Sequence, residues 1–196
     1  MRDLLQGIRG HGQRLGRDRS GQALIEFVLP SVFLILLLFG LIDFAIAIYY
    51  RQVMINVSRE GSNIAARIGA STPVAAVNTA LVTVVSSASP LMITNSSVTG
   101  RGRGRVIISA VVNNGGTFAV IAQASMGGLA AADAPSKVAP NGVGGTVTLP
   151  LTTPPVPYGH NTMYVTEVYY RFKPASPLGG LVKYVMTNQL YDVAYF

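Results

Sequence analysis

An α+β chain is predicted: a long amino-terminal helix that is first transmembrane and then amphipathic, a short second helix, and a small antiparallel β-sheet domain. Three observations carry the prediction. From Phe27 to Ile42 the run FVLPSVFLILLLFGLI has no charged residue and is apolar all round, as a helix in lipid is and the outer helix of a soluble domain is not. Beyond Tyr50, polar residues enter, and Val53, Val57, Gly61, Ile64 and Ile68 recur at steps of four, four, three and four, the period of an amphipathic helix. After Pro90, β-branched residues and alternation take over, the period of strands.

The elements follow in order. Residues 1–21 are rich in glycine and arginine without apolar periodicity, which fits a short basic leader rather than a folded element. Its Arg2, Arg9, Arg14, Arg17 and Arg19 outweigh Asp3 and Asp18, so the leader holds three of the seven net positive charges. Basic residues ahead of an apolar span keep that end in the cytoplasm and leave the long carboxy-terminal part outside. The charge that remains is small and scattered, so a nucleic-acid partner is not expected.

Residues 22–50 are expected to form the transmembrane helix, since about 20 apolar residues suffice at about 1.5 Å each. Residues 51–89 hold its extension and the second helix. A continuous helix from Ala23 to Ile68 would be about 69 Å long and would stop near Gly69, where glycine suits a left-handed cap. Thr72 and Pro73 form an N-cap and first-turn pair for an alanine- and valine-rich helix reaching towards Ser89, with Pro90 as its stop.

Residues 90–196 are expected to form the extracytoplasmic β-rich domain. Leu91–Val98 and Arg105–Asn113 are strand candidates joined by the basic turn TGRGRGR. Met163–Phe172 is the clearest strand, and Val185–Phe196 is its expected partner. Between them lies a Gly/Ala/Pro-rich insertion, 114–161. It offers two short candidates for a hairpin, Thr117–Ala122 and Thr146–Leu151, and otherwise reads as loop. So long a weakly structured insertion is usually functional or mobile.

Enzymatic chemistry has little to stand on. Hydrophobic residues make up 49% of the 196 and charged ones 12%, and cysteine is absent, which removes disulfides and thiolate metal sites. His11 and His160 are the two histidines, and they cannot pair on one helix face to hold zinc. The outer carboxylates are Glu60, Asp133, Glu167 and Asp192, and no serine stands in a GxSxG setting. Neither an enzyme nor a cofactor is expected.

One carboxylate at the entrance of the apolar run needs a reason. Carrying a glutamate to the centre of a membrane helix costs about 2.5–3.5 kcal/mol, so such groups have a partner or a task. The stretch Ser20-Gly21-Gln22-Ala23-Leu24-Ile25-Glu26-Phe27 resembles the processing site of type IV prepilins, with Gly21 last in the leader, Gln22 first in the mature chain, Glu26 its fifth residue and Phe27 its sixth. Together with GLIDFAIAIYYRQVMINVSREGSNIAARIG and the later VTEVYYRFKPASPL, it makes the chain similar to the TadE-like minor pilins, or pseudopilins, of the tight-adherence pilus system.

The resemblance covers about residues 15–69 well, the carboxy-terminal strands loosely and the 114–161 insertion not at all. It implies a pilin-like fold and cleavage after Gly21 by a membrane prepilin peptidase. It further implies partners in other pilin subunits and in an inner-membrane assembly platform, and surface attachment as the end use. The mature chain is much longer than the major fibre subunits of this system, which favours the minor member.

Glu26, Phe27 and Asp43 are the residues expected at subunit contacts. For Asp43 two fates stay open: a bond to a neighbouring helix or the membrane surface, or pairing with Arg51 of another subunit. Arg59, Glu60 and Gly61 are a family hallmark by resemblance. Physically they read as an exposed charged pair beside a glycine that lets helices approach closely. Pro30 removes the amide that would bond the Glu26 carbonyl, which loosens the helix, unless a neighbour or the Ser31 hydroxyl compensates. Arg101, Arg103 and Arg105 read as a solvated hairpin tip or an anion-binding loop.

Two other classes compete. An uncleaved membrane-anchored extracytoplasmic binding or adhesion domain would make Gly21 and Glu26 coincidental. A secreted protein cut after Ala45-Ile46-Ala47 would have an apolar stretch longer than the usual 7 to 15 residues.

Overall fold

The computed structural model describes residues 19–69, 72–94, 102–114, 117–147, 162–177 and 188–196. Most of the leader, the end of the 91–98 strand candidate, Arg101, residues 148–161 with His160, and residues 185–187 of the last strand candidate lie outside the described residues. The long helix is continuous: α1 runs Arg19–Ile68 for 50 residues, about 75 Å at the usual rise. Gly69 follows with φ 99°, and its amide donates back to Ala65 O at 3.4 Å, the expected glycine stop. α2, Pro73–Ser87, begins with proline in its first turn. Thr72 caps it through its backbone carbonyl, which accepts from Ala76 N at 2.9 Å, and not through its side chain.

Four antiparallel strands follow: β1 (Gly104–Asn114), β2 (Thr117–Gly127), β3 (Thr162–Arg171) and β4 (Gln189–Tyr195). Their order in the sheet is β2-β1-β3-β4. Alternation divides the sheet into two faces. Val106, Ile108, Ala110, Tyr164, Val168 and Tyr170 pack against Met54, Val57 and Ala65 of α1 and against Ala76, Val77, Ala80 and Val84 of α2. The opposite residues, Ile107, Val111, Met163, Val165 and Tyr169, are covered by Leu129, Ala134 and Val138. β3 is therefore buried on both faces.

Two strand expectations change. Leu91–Thr94 does not join the ladder. Met92 O accepts from Arg103 N at 2.7 Å and Ile93 O from Gly128 N at 2.8 Å, so the segment straps the end of the sheet where β1 begins, with its Leu91 and Ile93 side chains buried. A glycine just before β1 allows this crossing: a Cβ on Gly102 would stand 2.5 Å from Ile93 O and 2.7 Å from Thr94 O.

The second change concerns β2, which continues beyond Ala122 to Gly127, with Ile121 as an extra residue where the register to β1 steps. The described part of the insertion, residues 128–147, is a packed cover rather than a loose loop. It returns along β2, where Gly144 N donates to Val120 O at 2.8 Å and Val147 N to Phe118 O at 3.1 Å. Thr146 bridges Ala119, the start of the hairpin that alternation suggested.

Candidate assembly and processing surface

The amino-terminal part of α1 is bare. Residues 21–42 are exposed apart from half-buried Ser31 and Phe39, and Phe27 is 74% exposed. α1 is long and apolar enough to cross a membrane. At its entrance Gln22 Nε2 donates to Glu26 Oε1 at 3.0 Å, one helical turn apart. Gly21 has nothing within 4 Å of a notional Cβ, so the backbone around the Gly21-Gln22 bond is open on the side of the missing side chain. Downstream of Pro30, Ser31 Oγ donates to Phe27 O at 2.7 Å. The hydroxyl thus serves the carbonyl next to the one Pro30 leaves without its helix donor, a back-bond that bends helices.

Asp43 sits where the bare segment ends, and its carboxylate is used inside the chain. It is fully buried. Oδ1 accepts from Ala175 N at 2.9 Å and Ser176 N at 3.0 Å, and Oδ2 accepts from the Ser176 hydroxyl. Ala47 is buried next, and Tyr50 packs on Tyr170 at 5.2 Å and on Phe172 at 6.1 Å between ring centroids. Within the segment expected to be transmembrane over 22–50, one side of residues 43–50 packs on the folded domain, because the loop after β3 descends along α1 to the level of Asp43. This also differs from pairing of Asp43 with Arg51 of another subunit: the chain's own backbone amides take the carboxylate.

About two to three turns above Tyr50, small residues let α1 approach the sheet. Arg59 and Glu60 are exposed, whereas Ser58, Gly61 and Ser62 face inward. A Cβ on Gly61 would stand 2.8 Å from Thr166 Oγ1 and 2.9 Å from its Cγ2. The Ser58 hydroxyl donates to Asp192 Oδ2 on β4, and Ser62 Oγ donates to Ala194 O at 3.0 Å. Gly61 thus serves close packing as its small size suggests, with a strand of its own chain as the neighbour.

Sequence reasoning missed the seat of Glu167, a buried β3 carboxyl on the face away from the helices. Its Oε1 accepts from Lys137 N at 2.7 Å, Val138 N at 3.3 Å and Tyr191 OH at 2.9 Å, and its Oε2 accepts from the Ser136 hydroxyl. Lys137 Nζ stands 4.0 Å over the Tyr191 ring. Burial and then the Glu167 charge raise the Tyr191 and Tyr169 phenols and push that of Tyr195 up to about 12, so all three stay neutral near pH 7. The signal was a lone glutamate inside the apolar strand MYVTEVYYRF, which only a donor-rich cover would allow.

Residues 21–63 match the family model of TadE-like proteins. The matched stretch takes in Glu26, Asp43 and the Ser58–Ser62 turn, and this part of the chain is TadE-like. No curated protein and no solved structure matches the chain.

Proposed function

We propose that this chain, with its TadE-like segment as premise, is a minor pilin or pseudopilin of a tight-adherence pilus. It is cut between Gly21 and Gln22 by a prepilin peptidase and joins other pilin subunits through the bare part of α1. The carrying observation is the exposed apolar cylinder from Leu24 to Ile42 with the Gln22–Glu26 pair at its entrance. Before assembly the bilayer covers it. Ala23–Ile42 is 20 residues, about 30 Å of helix, the thickness of a hydrocarbon core. The basic leader holds the amino end in the cytoplasm, and the sheet domain stands outside.

Cleavage changes the electrostatics of that entrance. It removes five arginines, which resist passage through lipid, and leaves an ammonium on Gln22, one turn from Glu26. In a stack of staggered helices, Glu26 of one subunit meets the ammonium of the next, and each offsets the burial penalty of the other. The chain is then a substrate and a building block rather than a catalyst, and the inner-membrane assembly platform is its remaining partner.

The test is the intact mass and amino-terminal residue of the protein from membranes with and without the peptidase. A peptidase-dependent start at Gln22 is expected. A start at Met1 in both would make the chain an uncleaved anchored domain. Glu26→Leu is expected to insert normally yet fail to enter pili, and normal piliation in that variant would sink the pairing mechanism.

A further inference from the structure

The fold gathers positive charge at the end of the sheet domain nearest the bare helix. Asp43 sets the level: Ala175 and Ser176 are bonded to it, and Lys173, two residues earlier, lies within about 7 Å of chain. Phe172 N donates to Asn188 O at 2.8 Å, and Arg171 N to Arg103 O at 2.7 Å, so these residues share the next level up. Arg105, at the start of β1 opposite Tyr169, is turned away from this end, its guanidinium donating to Ser125 Oγ at 2.9 Å. Arg51 is beside Tyr50, whose ring touches Phe172 and Tyr170. Helix side chains tilt towards the amino terminus, so Arg51 leans down towards Asp43.

Acidic groups do not balance the four cations Arg51, Arg103, Arg171 and Lys173. Among the described carboxylates near this end, Asp43 is buried and bonded to the loop, and Asp133 is exposed with Arg171 at 3.5 Å. Glu60 lies farther up α1, Asp192 accepts from the Ser58 hydroxyl between β4 and α1, and Glu167 is sealed on the other face of the sheet.

The geometry points to this base as a lipid-binding surface that takes the headgroup phosphates of anionic phospholipids in the leaflet beneath it. The inference rests on the reading that Ala23–Ile42 crosses a bilayer, and not on cleavage at Gly21. The headgroup layer adds about 5–8 Å to each side of the hydrocarbon core. With the core ending at Ile42, Lys173 and the lowered Arg51 head reach that layer, and Arg103 and Arg171 border it. Tyr49, 52% exposed, stands beside them, and aromatic rings with basic residues are the usual anchors at this depth. A neutral headgroup would meet the same rings but leave the cations without net compensation.

The test is native mass spectrometry of the purified full chain in detergent, titrated with phosphatidylglycerol or phosphatidylcholine. Preferential retention of phosphatidylglycerol is expected. The double variant Arg51→Gln/Lys173→Gln should lower that preference by about 25-fold, at about fivefold for each surface cation. Arg59→Gln/Arg67→Gln, an equal loss of charge farther from the span, should leave it within about twofold. Circular dichroism checks that both variants are folded. Equal retention of the two lipids by the parent would overturn the inference and direct the cations to an acidic protein partner. An equal fall in both double variants would overturn it too, since overall charge would then account for the preference. Retention of neither lipid would instead count against the span itself, so the two failures are distinguishable.

Discussion

Gly61→Ala tests whether the TadE-like turn of α1 is shaped by packing within the chain. The new methyl would sit 2.8 Å from Thr166 Oγ1, 2.9 Å from Cγ2 and 3.3 Å from Cβ, against contacts of about 3.5–4.0 Å between comfortable carbon atoms. Helix and strand must separate by several tenths of an ångström, at about 1–3 kcal/mol for overpacking of this kind. Alanine in a helix interior returns about 0.5–1 kcal/mol, which leaves a net loss centred on about 1 kcal/mol, or about 2–4 °C for a chain of this size. Thermal unfolding of the full chain in detergent, followed by the tyrosine circular dichroism signal, measures it. Thr166→Ala removes both crowding atoms, so the double variant should recover most of the loss, and a favourable coupling is expected in the cycle. Additive effects, or a Gly61→Ala melting point at or above the parent, would refute the close-packing account.

Other outcomes follow from the same contacts. Thr166 Oγ1 and Tyr195 OH are buried without a hydrogen-bond partner among the described residues, so Thr166→Val and Tyr195→Phe should be neutral or stabilising by up to about 1 kcal/mol in the same melt. Tyr191→Phe, which takes a donor from the buried Glu167 carboxyl, should instead cost about 1–3 kcal/mol. Equal effects for the two tyrosines would show that the Glu167 seat is not special. Asp43→Asn keeps the shape but weakens acceptance from Ala175 and Ser176; hydrogen exchange at those amides should accelerate while that of β1 is unchanged. Unchanged exchange at 175 and 176 would mean that the loop is held by other contacts.

The main frame of the fold was legible because it follows from periodicity. The 3.6-residue pattern through Ile68, the glycine after it, and the alternation of Met163–Phe172 each reflect a single local cause, and α1, its stop and β3 stand where those signals placed them. The site was legible in part. Gly21, Gln22, Glu26 and Phe27 lie together on an open helix, as any reading of consecutive residues would have them. Asp43 and Glu167 were not legible as anchors because donors such as Ala175 N and Lys137 N come from 132 and 30 residues away in sequence, and two of the donors to each are backbone amides, which carry no residue signature. The insertion misled for a related reason. A segment of glycine, alanine and proline has no period, yet small residues suffice to cover a sheet once a carboxyl like that of Glu167 bonds its backbone.

The TadE-like stretch 21–63 divides physically at Asp43. From Asp43 to Asn63 its special residues have partners within the chain: Asp43 with the loop after β3, Ser58 and Ser62 with β4, Gly61 with Thr166. From Gly21 to Ile42 no fold of this chain needs a helix apolar on all sides, and a glutamate at its entrance costs energy there without stabilising the sheet domain. On the proposed reading, the partners of that half are lipid and other helices. Because α1 is unbroken between the halves, a neighbour that grips the lower half also sets the rotation and height of the sheet domain. A pilin helix that packs by its amino-terminal segment would thereby fix which face of its outer domain is shown to the next subunit.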